Sequence, residues 1–461
     1  LFKIYLWIIL SKSRYGLVII EFCQKEMKKV KKILIYSLIT VFTFSMLLIG
    51  TSCDKEVEEE EEEEEEEEPV KFTFWHIQTV AEQALLWHDL ADEFMAEKPY
   101  VNVDITGYEN ENFKAKLTTV MQGGEPPDMF QSWGGGTMIE YAEAGLLRDI
   151  TSFMEEDNWA SDTFTTGLSA FKYQDKYYGV PRDMGIVGFW YNTDLFNQAG
   201  ADIPTTWAEL LATCQTLKDA GITPIAIGEG DKWPGAFYWE YLATRIAGEE
   251  GFNAAYSRTG SFADEPFVEA GEALADLVAL NPFQSGFLSA LWEADASVAF
   301  ANGDAAMILQ GQWGAGQFES VNADIMDKLG WFPFPEVEGG AGGPYDAIGG
   351  GNGFVIGKDA PDEAVEFLKY ISSVDSQIKQ VELGMAMPVV KGAEVAIEKE
   401  TDKLIAEGLS KAEYYQLYYD QFFPGAVGSV INDSIQGIFA GTLTPEQCAQ
   451  AIEDAVAQEM D

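Results

Sequence analysis

The chain is short of the side chains on which most metalloenzymes and nucleic-acid binders rely. Its 461 residues include two histidines, His76 and His88, four cysteines, and 29 Lys and Arg against 76 Asp and Glu. No H-E-x-x-H zinc motif, G-x-S-x-G nucleophile elbow or G-x-x-x-x-G-K-[ST] phosphate loop occurs. The glycine clusters at 134–136 and 349–353 lack the strand, helix and acid context of a dinucleotide site and read as turns. Residues 69–461 alone carry 61 acids against 20 bases, so the surface repels phosphate and nucleic acid is excluded as a partner. Of the cysteines, Cys23 and Cys53 lie near the start. Cys214 and Cys448 sit in helix-like stretches and read as buried thiols, not as a disulfide framework.

What is present begins with MKKVKKILIYSLITVFTFSMLLIGTSC over 27–53: a basic start, an apolar run and small residues before a cysteine. This layout resembles a bacterial lipoprotein signal, with residues 27–52 removed and Cys53 lipidated. Gly50 departs from the aliphatic residue usual there, and an uncleaved anchor is the alternative. Residues 1–26 read as an upstream extension outside the fold. The acidic run over 53–68 cannot bury anything and reads as a solvated tether.

Residues 69–461 are enough for two ordinary domains, and 47% of the whole chain is hydrophobic, which supports a large core. Period-two alternation predicts a strand over 70–76, and helical spacing predicts a helix over 80–97. Strands at 101–106 and 128–133 and helices at 112–122 and 137–144 continue the series, an order that argues for α/β architecture with a parallel sheet. The pattern restarts with a helix over 206–220, capped by Thr205 or Thr206 and stopped at Gly221, and a strand over 223–227. Further strands are expected at 305–310, 331–334 and 345–356. Helices are expected at 235–247, 267–280, 294–301, 362–372, 376–383, 393–404, 411–417 and 445–458.

Aromatic residues recur beside polar ones at expected strand ends and in loops: Trp75 with His76, Trp133, Trp233 in GDKWPG, and Trp313 after Gln310. Sugar rings offer apolar C–H faces that stack on indoles, while their hydroxyls need amide or charged partners. The segments FTFWH, PPDMFQSWGGG, YYGVPRDMGIVGFWYNTDLF, PTTWAELLATCQTLKDAGITPIA, DAAMILQGQW, GGGNGFVIGKDAP, EAVEFLKYISS and LGMAMPVVKGA resemble, in order, blocks of the family 1 extracellular solute-binding proteins. These are the maltose and oligosaccharide receptors of ABC importers, and the resemblance covers almost all of 70–461.

The resemblance implies an α/β, two-lobed periplasmic-binding-protein fold of type II, each lobe a mostly parallel sheet flanked by helices. Lobe one is expected over 69–182 plus 340–374 and lobe two over 183–339 plus 375–461, with crossings near 181–188, 333–345 and 372–376. It also implies a sugar or oligosaccharide ligand, permease subunits of an ABC importer as partners, and a lipid-anchored, extracytoplasmic monomer. No enzymatic activity, cofactor or metal is expected. The alternatives are a lipid-anchored glycoside hydrolase, whose acid pair no spacing singles out among so many carboxylates, or the same fold holding a polyol, peptide or polyamine.

Carried over position by position, the ligand-binding residues are Trp75, His76, Trp133, Arg182, Asp183, Trp233, Gln310, Trp313 and Asn352, with Asn110 after the second strand. Arg182, one of four arginines in 69–461, offers a planar fork to vicinal hydroxyls, or else a salt bridge to Asp183. The four tryptophans are stacking platforms, or core. Asp183 and Gln310 are hydroxyl acceptors, His76 a donor or a structural residue, and Asn352 a contact or a turn residue. Trp190 and Tyr191 are expected to pack the second lobe.

Overall fold

The computed structural model describes residues 68–460. The lipoprotein-signal reading, Cys53 and all but the last residue of the acidic tether lie outside them. Among the described residues no helix is long and apolar enough to cross a membrane.

The first body is built on a five-stranded sheet. Val70–His76 runs parallel to Val101–Gly107 on one side and to Met129–Ser132 on the other; Gly353–Ile356 and then Gly179–Pro181 complete it antiparallel. Alternation along the first strand buries Phe72, Phe74 and His76 and leaves Lys71 exposed and Thr73 and Trp75 half-buried. The helix Ala81–Glu97 covers the buried face with Leu86, Trp87, Leu90, Ala91 and Phe94. Phe74 meets Trp87 and Phe354 edge to face at 5.7 and 5.0 Å, the geometry ring quadrupoles favour.

The second body has a four-stranded sheet in the order Leu329–Pro333, Gly188–Asn192, Ala305–Gln310, Thr223–Ala226. Its helix Trp207–Asp219 starts at a capping box in which Thr206 and Glu209 satisfy each other's backbone N–H groups. Only its last strand pair is parallel. Both sheets are therefore more mixed than the mostly parallel ones expected, because strands arriving from the crossings run against their neighbours. The two-lobed α/β architecture itself is the expected one.

A three-stranded sheet of Tyr415–Leu417, Ala347–Gly350 and Gly185–Ile186 lies where the chain passes between the bodies. The first passage runs from Pro181, in the first sheet, to Gly188, in the second. The second is fastened to the second body by Arg245, almost fully buried, which donates to the carbonyls of Phe334, Pro335, Pro344 and Asp346. Gly340 and Gly342 let this segment lie on the helix, since a Cβ there would come 2.2 and 2.1 Å from the carbonyls of Arg245 and Thr244. Residues 340–346, expected in lobe one, thus ride on the second body, and the chain rejoins the first sheet at Gly353. The third passage also falls later than 372–376. Val374–Glu382 packs on Ala81–Glu97, and Val389, Val390 and Ala393 share a core with Phe72, whereas Glu400–Lys411 packs on Leu329–Pro333.

Local expectations differ near the carboxyl end: the helix expected over 393–404 is a short 3-10 turn, Ala393–Ala396, followed by the helix Glu400–Lys411. Residues 411–417 were expected to be helical, but the helix ends at Lys411 and Tyr415–Leu417 is a strand, pairing with Ala347–Gly349. Tyr415 also donates its hydroxyl to the Gly185 carbonyl at 2.9 Å. The helix Gly425–Phe439 had no counterpart in the sequence reading.

Replacing Arg245 by Met keeps most of its stem but strands several buried carbonyls. The expected cost is about 3 kcal/mol of unfolding free energy, measured by urea denaturation; an unchanged midpoint would refute the clamp.

Candidate ligand cleft

A cleft of about 980 Å³, counting its open mouth, lies between the two bodies. From the first body it takes Ile77 to Val80, directly after the first strand, Gln83, Asn110, Lys114 and Trp133, directly after the third strand. From the second it takes Trp233 and Phe237 at the start of the helix Trp233–Tyr256, then Trp292, Glu293, Trp313, Gln317, Tyr418, Asp420 and Gln421. Arg182, Asn352, Gly384 and Met385 form its base. Positions just beyond the carboxyl ends of strands are where α/β sheets leave a crevice, because side chains there are free of ladder pairing.

The second-body wall is a run of rings. Trp233 stands edge-on to Trp292 at 6.2 Å and to Trp313 at 6.4 Å; Trp313 in turn meets Tyr418 at 6.5 Å, and Phe237 lies 5.0 Å from Tyr418. Facing it, Trp133 is braced by Phe113 at 6.0 Å, with the Lys114 ammonium 5.6 Å from its ring. The wall offers flat apolar surface and the base offers polar edges, which suits a neutral, hydroxylated solute.

Arg182 and Asp183 are both buried, Asp183 completely. Arg182 donates to Asp183 Oδ2 at 2.7 Å and to the Met385 carbonyl at 2.8 Å, and its Nε has no partner. Asn352 donates from Nδ2 to both Asp183 oxygens at 3.0 Å and accepts from Gln131 at 3.1 Å. Burial pushes the Asp183 carboxyl up and the Arg182 guanidinium down, each opposed by the other's charge.

The structure therefore brings Trp133, Arg182, Trp233, Trp313, Asn352 and Asn110 to one cleft. It does not place Trp75, His76, Asp183 or Gln310 on the cleft wall. Trp75 stacks edge-on with Tyr108 at 5.1 Å beneath Lys116. His76 is buried against Phe74 and Trp87; its Nδ1 accepts from the Gln78 N–H, and burial, then His88 and Arg182, lower its pKa to about 3. Asp183 acts through Arg182 and Asn352, and Gln310 is buried in a strand paired with Gly188. Trp190 is buried and Tyr191 packs on Phe196, both within the second body as read. The sequence reading missed Trp292, Phe237, Tyr418, Lys114 and Glu293; the Trp-Glu pair in LWEAD was the one signal of the kind used elsewhere.

Acids from both bodies meet at the mouth. Thr79 of the first body donates to Glu293 Oε2 of the second at 3.0 Å, and Trp292 N donates to Asp231 Oδ2 at 2.7 Å. Burial, followed by the charges of Glu111 and Glu109 across the gap, raises the Asp231 pKa to about 6. The native state thus holds a proton on Asp231 between its ordinary 3.8 and about 6 that the unfolded chain has released. Stability from this group falls as pH rises through that window. Asp231→Asn, which keeps the acceptor for Trp292 N, should raise the melting temperature more at pH 7 than at pH 4.5. Equal effects at both pH values would contradict the assignment.

Two packed α/β bodies with a solute-sized cleft between them define a two-lobed binding protein. The family model for bacterial extracellular solute-binding proteins matches residues 80–378, and the chain belongs to that family, whose members bind solutes without transforming them. An uncharacterized ABC transporter extracellular-binding protein of Pyrococcus horikoshii is 27% identical over 318 residues, covering 66% of this chain and 68% of that protein. A multiple sugar-binding protein of Streptococcus mutans is 22% identical over 371 residues, 76% and 84% of the two chains. Among solved structures, one from work on xylan utilization by Caldanaerobius polysaccharolyticus superposes with TM-score 0.78 at 27% identity, covering 85% of this chain and all of that one. A chitin oligosaccharide binding protein gives 0.77 at 26%, covering 84% and 98%.

Proposed function

We propose that the protein is the extracytoplasmic receptor of an ABC importer, capturing a sugar or oligosaccharide between its lobes and delivering it to membrane permease subunits. The observation that carries this reading is the set of indoles from both bodies, Trp133 against Trp233, Trp292 and Trp313, lining one gap whose base is polar. The sugars named for the Streptococcus mutans and chitin-oligosaccharide relatives support the same ligand class. Arg182 and Asn352 serve the hydroxyls at the base and Asn110 those along the first-body wall; Asp183 holds Arg182 and Asn352 in place.

Binding draws the lobes together only to the extent that the ligand touches both, so the closed state gains what differential contact supplies. Lipidation at Cys53 would keep the receptor at the membrane surface, with the acidic run over 54–68 as its spacer.

Calorimetry of the purified protein against neutral mono- and oligosaccharides tests the reading. A binding sugar is expected, and Trp313→Ala should weaken it by about tenfold or more in a protein that still unfolds cooperatively, at a lower melting temperature because its indole packs against both neighbouring cores. Unaltered affinity in a folded Trp313→Ala protein would overturn the stacking role.

A further inference from the structure

Trp292–Ala296 is a single turn of π-helix, a rare geometry that gathers at functional sites. It sets Trp292 on the cleft wall and Glu293, one residue on, at the mouth. There Glu293 Oε2 takes the Thr79 hydroxyl of the opposite body at 3.0 Å. A second cavity, about 720 Å³ with its open side, borders this bridge; Thr79 and Glu109 of the first body and Asp231 and Glu293 of the second line it. We infer that the mouth is a proton-sensitive latch, in which Thr79 and Glu293 hold the cleft shut and protonation of the Asp231 and Glu293 carboxyls tightens the hold. The inference concerns regulation of the cleft and rests on the receptor reading above, in which capture is closure.

Donors are shared unevenly across the gap. Glu109 accepts from the amides of Glu111 and Asn112 at 3.0 and 3.1 Å, and Glu111 from Lys114 and Asn110 Nδ2 at 2.9 and 2.8 Å. Among the described residues, Asp231 accepts from Trp292 N and Glu293 from Thr79, one bond each. Their other neighbours supply little relief. Lys114 offsets the charge near Asp231 but is engaged with Glu111; Lys232 is paired with Asp433 and Lys399 with Glu319. Asp295 holds Leu291 N at 2.8 Å, and the Glu229 carboxyl beside Asp231 is itself pushed up by burial.

The direction of the effect follows from which charges closure brings together. Burial and the charges of Glu111 and Glu109 lift Asp231 to about 6, and burial with the charges of Glu109 and Asp231 lifts Glu293 against the Thr79 bond. Opening parts the bodies and removes the share of both shifts that comes from across the gap. Between 3.8 and about 6 the closed state therefore binds more protons than the open one. Closure gains as pH falls through that window and weakens as pH rises through it.

Two readouts at pH 4.5 and pH 7 test the latch: small-angle X-ray scattering of the purified protein without solute, and calorimetry with maltotriose, cellotriose, xylotriose and N-acetylated chitotriose. The radius of gyration is expected to be smaller at pH 4.5, and a sugar that binds should bind about threefold or more tighter there. Asp231→Asn combined with Glu293→Gln keeps both acceptors and removes both charges, so it should abolish each difference and hold the smaller radius at both pH values. Thr79→Ala, which removes the bridge and leaves the acids, should give a larger radius than the parent at pH 4.5. A pH effect in either readout that the double variant abolishes supports the latch. No pH effect in either, or one undiminished in the double variant, overturns it, while sugar binding at both pH values leaves the receptor reading standing. If none of the four sugars binds, the receptor reading falls and the scattering alone decides whether the mouth is a latch.

Discussion

Everything in the cleft is aligned by one buried junction where two crossing segments meet. The amides of Arg182 and Asp183 both donate to the Asn352 carbonyl, at 2.7 and 3.1 Å, and the Asn352 amide returns a bond to Asp183 at 3.1 Å. On one side of this junction Gly353 pairs with both Pro181 and Ser132, fixing the strand that ends at Trp133. On the other side Gly188 pairs with Gln310, fixing the strand that leads to Trp313. The separation of the two indole walls is therefore set by a few residues at the base. An ion pair so deeply buried is held at a desolvation cost; what it supplies here is a fixed geometry.

Much of this was legible in the sequence, and the misses have physical causes. Helical spacing, period-two alternation and a helix cap at Thr205 or Thr206 depend on neighbours within one or two turns, so they could be read locally. The same alternation should have settled the first strand. His76 lies in step with Phe72 and Phe74, hence in the core, and Trp75 faces the other way onto Tyr108. Tyr415–Leu417 depends on a partner strand far away in sequence, and the segment offers no periodicity of its own. Tyr418 and Trp292 join the wall only because long-range packing brings three separated loops together. Asp183, expected as a hydroxyl acceptor, lies off the cleft wall and is bonded to Arg182 and Asn352, a pairing that only long-range contact reveals.

The acid-rich composition also acquires a local meaning. At the mouth, Glu109 and Glu111 of one body face Asp231 and Glu293 of the other, so charge opposes approach except where Thr79 bridges to Glu293. The mouth disfavours anionic solutes.

The central claim is that a neutral sugar sits between indoles contributed by both bodies. A crystal structure of the protein grown with a saturating oligosaccharide that raises its melting temperature tests this directly. The account predicts the sugar in contact with Trp133 on one side and with Trp233 or Trp313 on the other, its hydroxyls at the Arg182 and Asn352 end. A ligand bound to one body alone, or lying outside the gap, would contradict it.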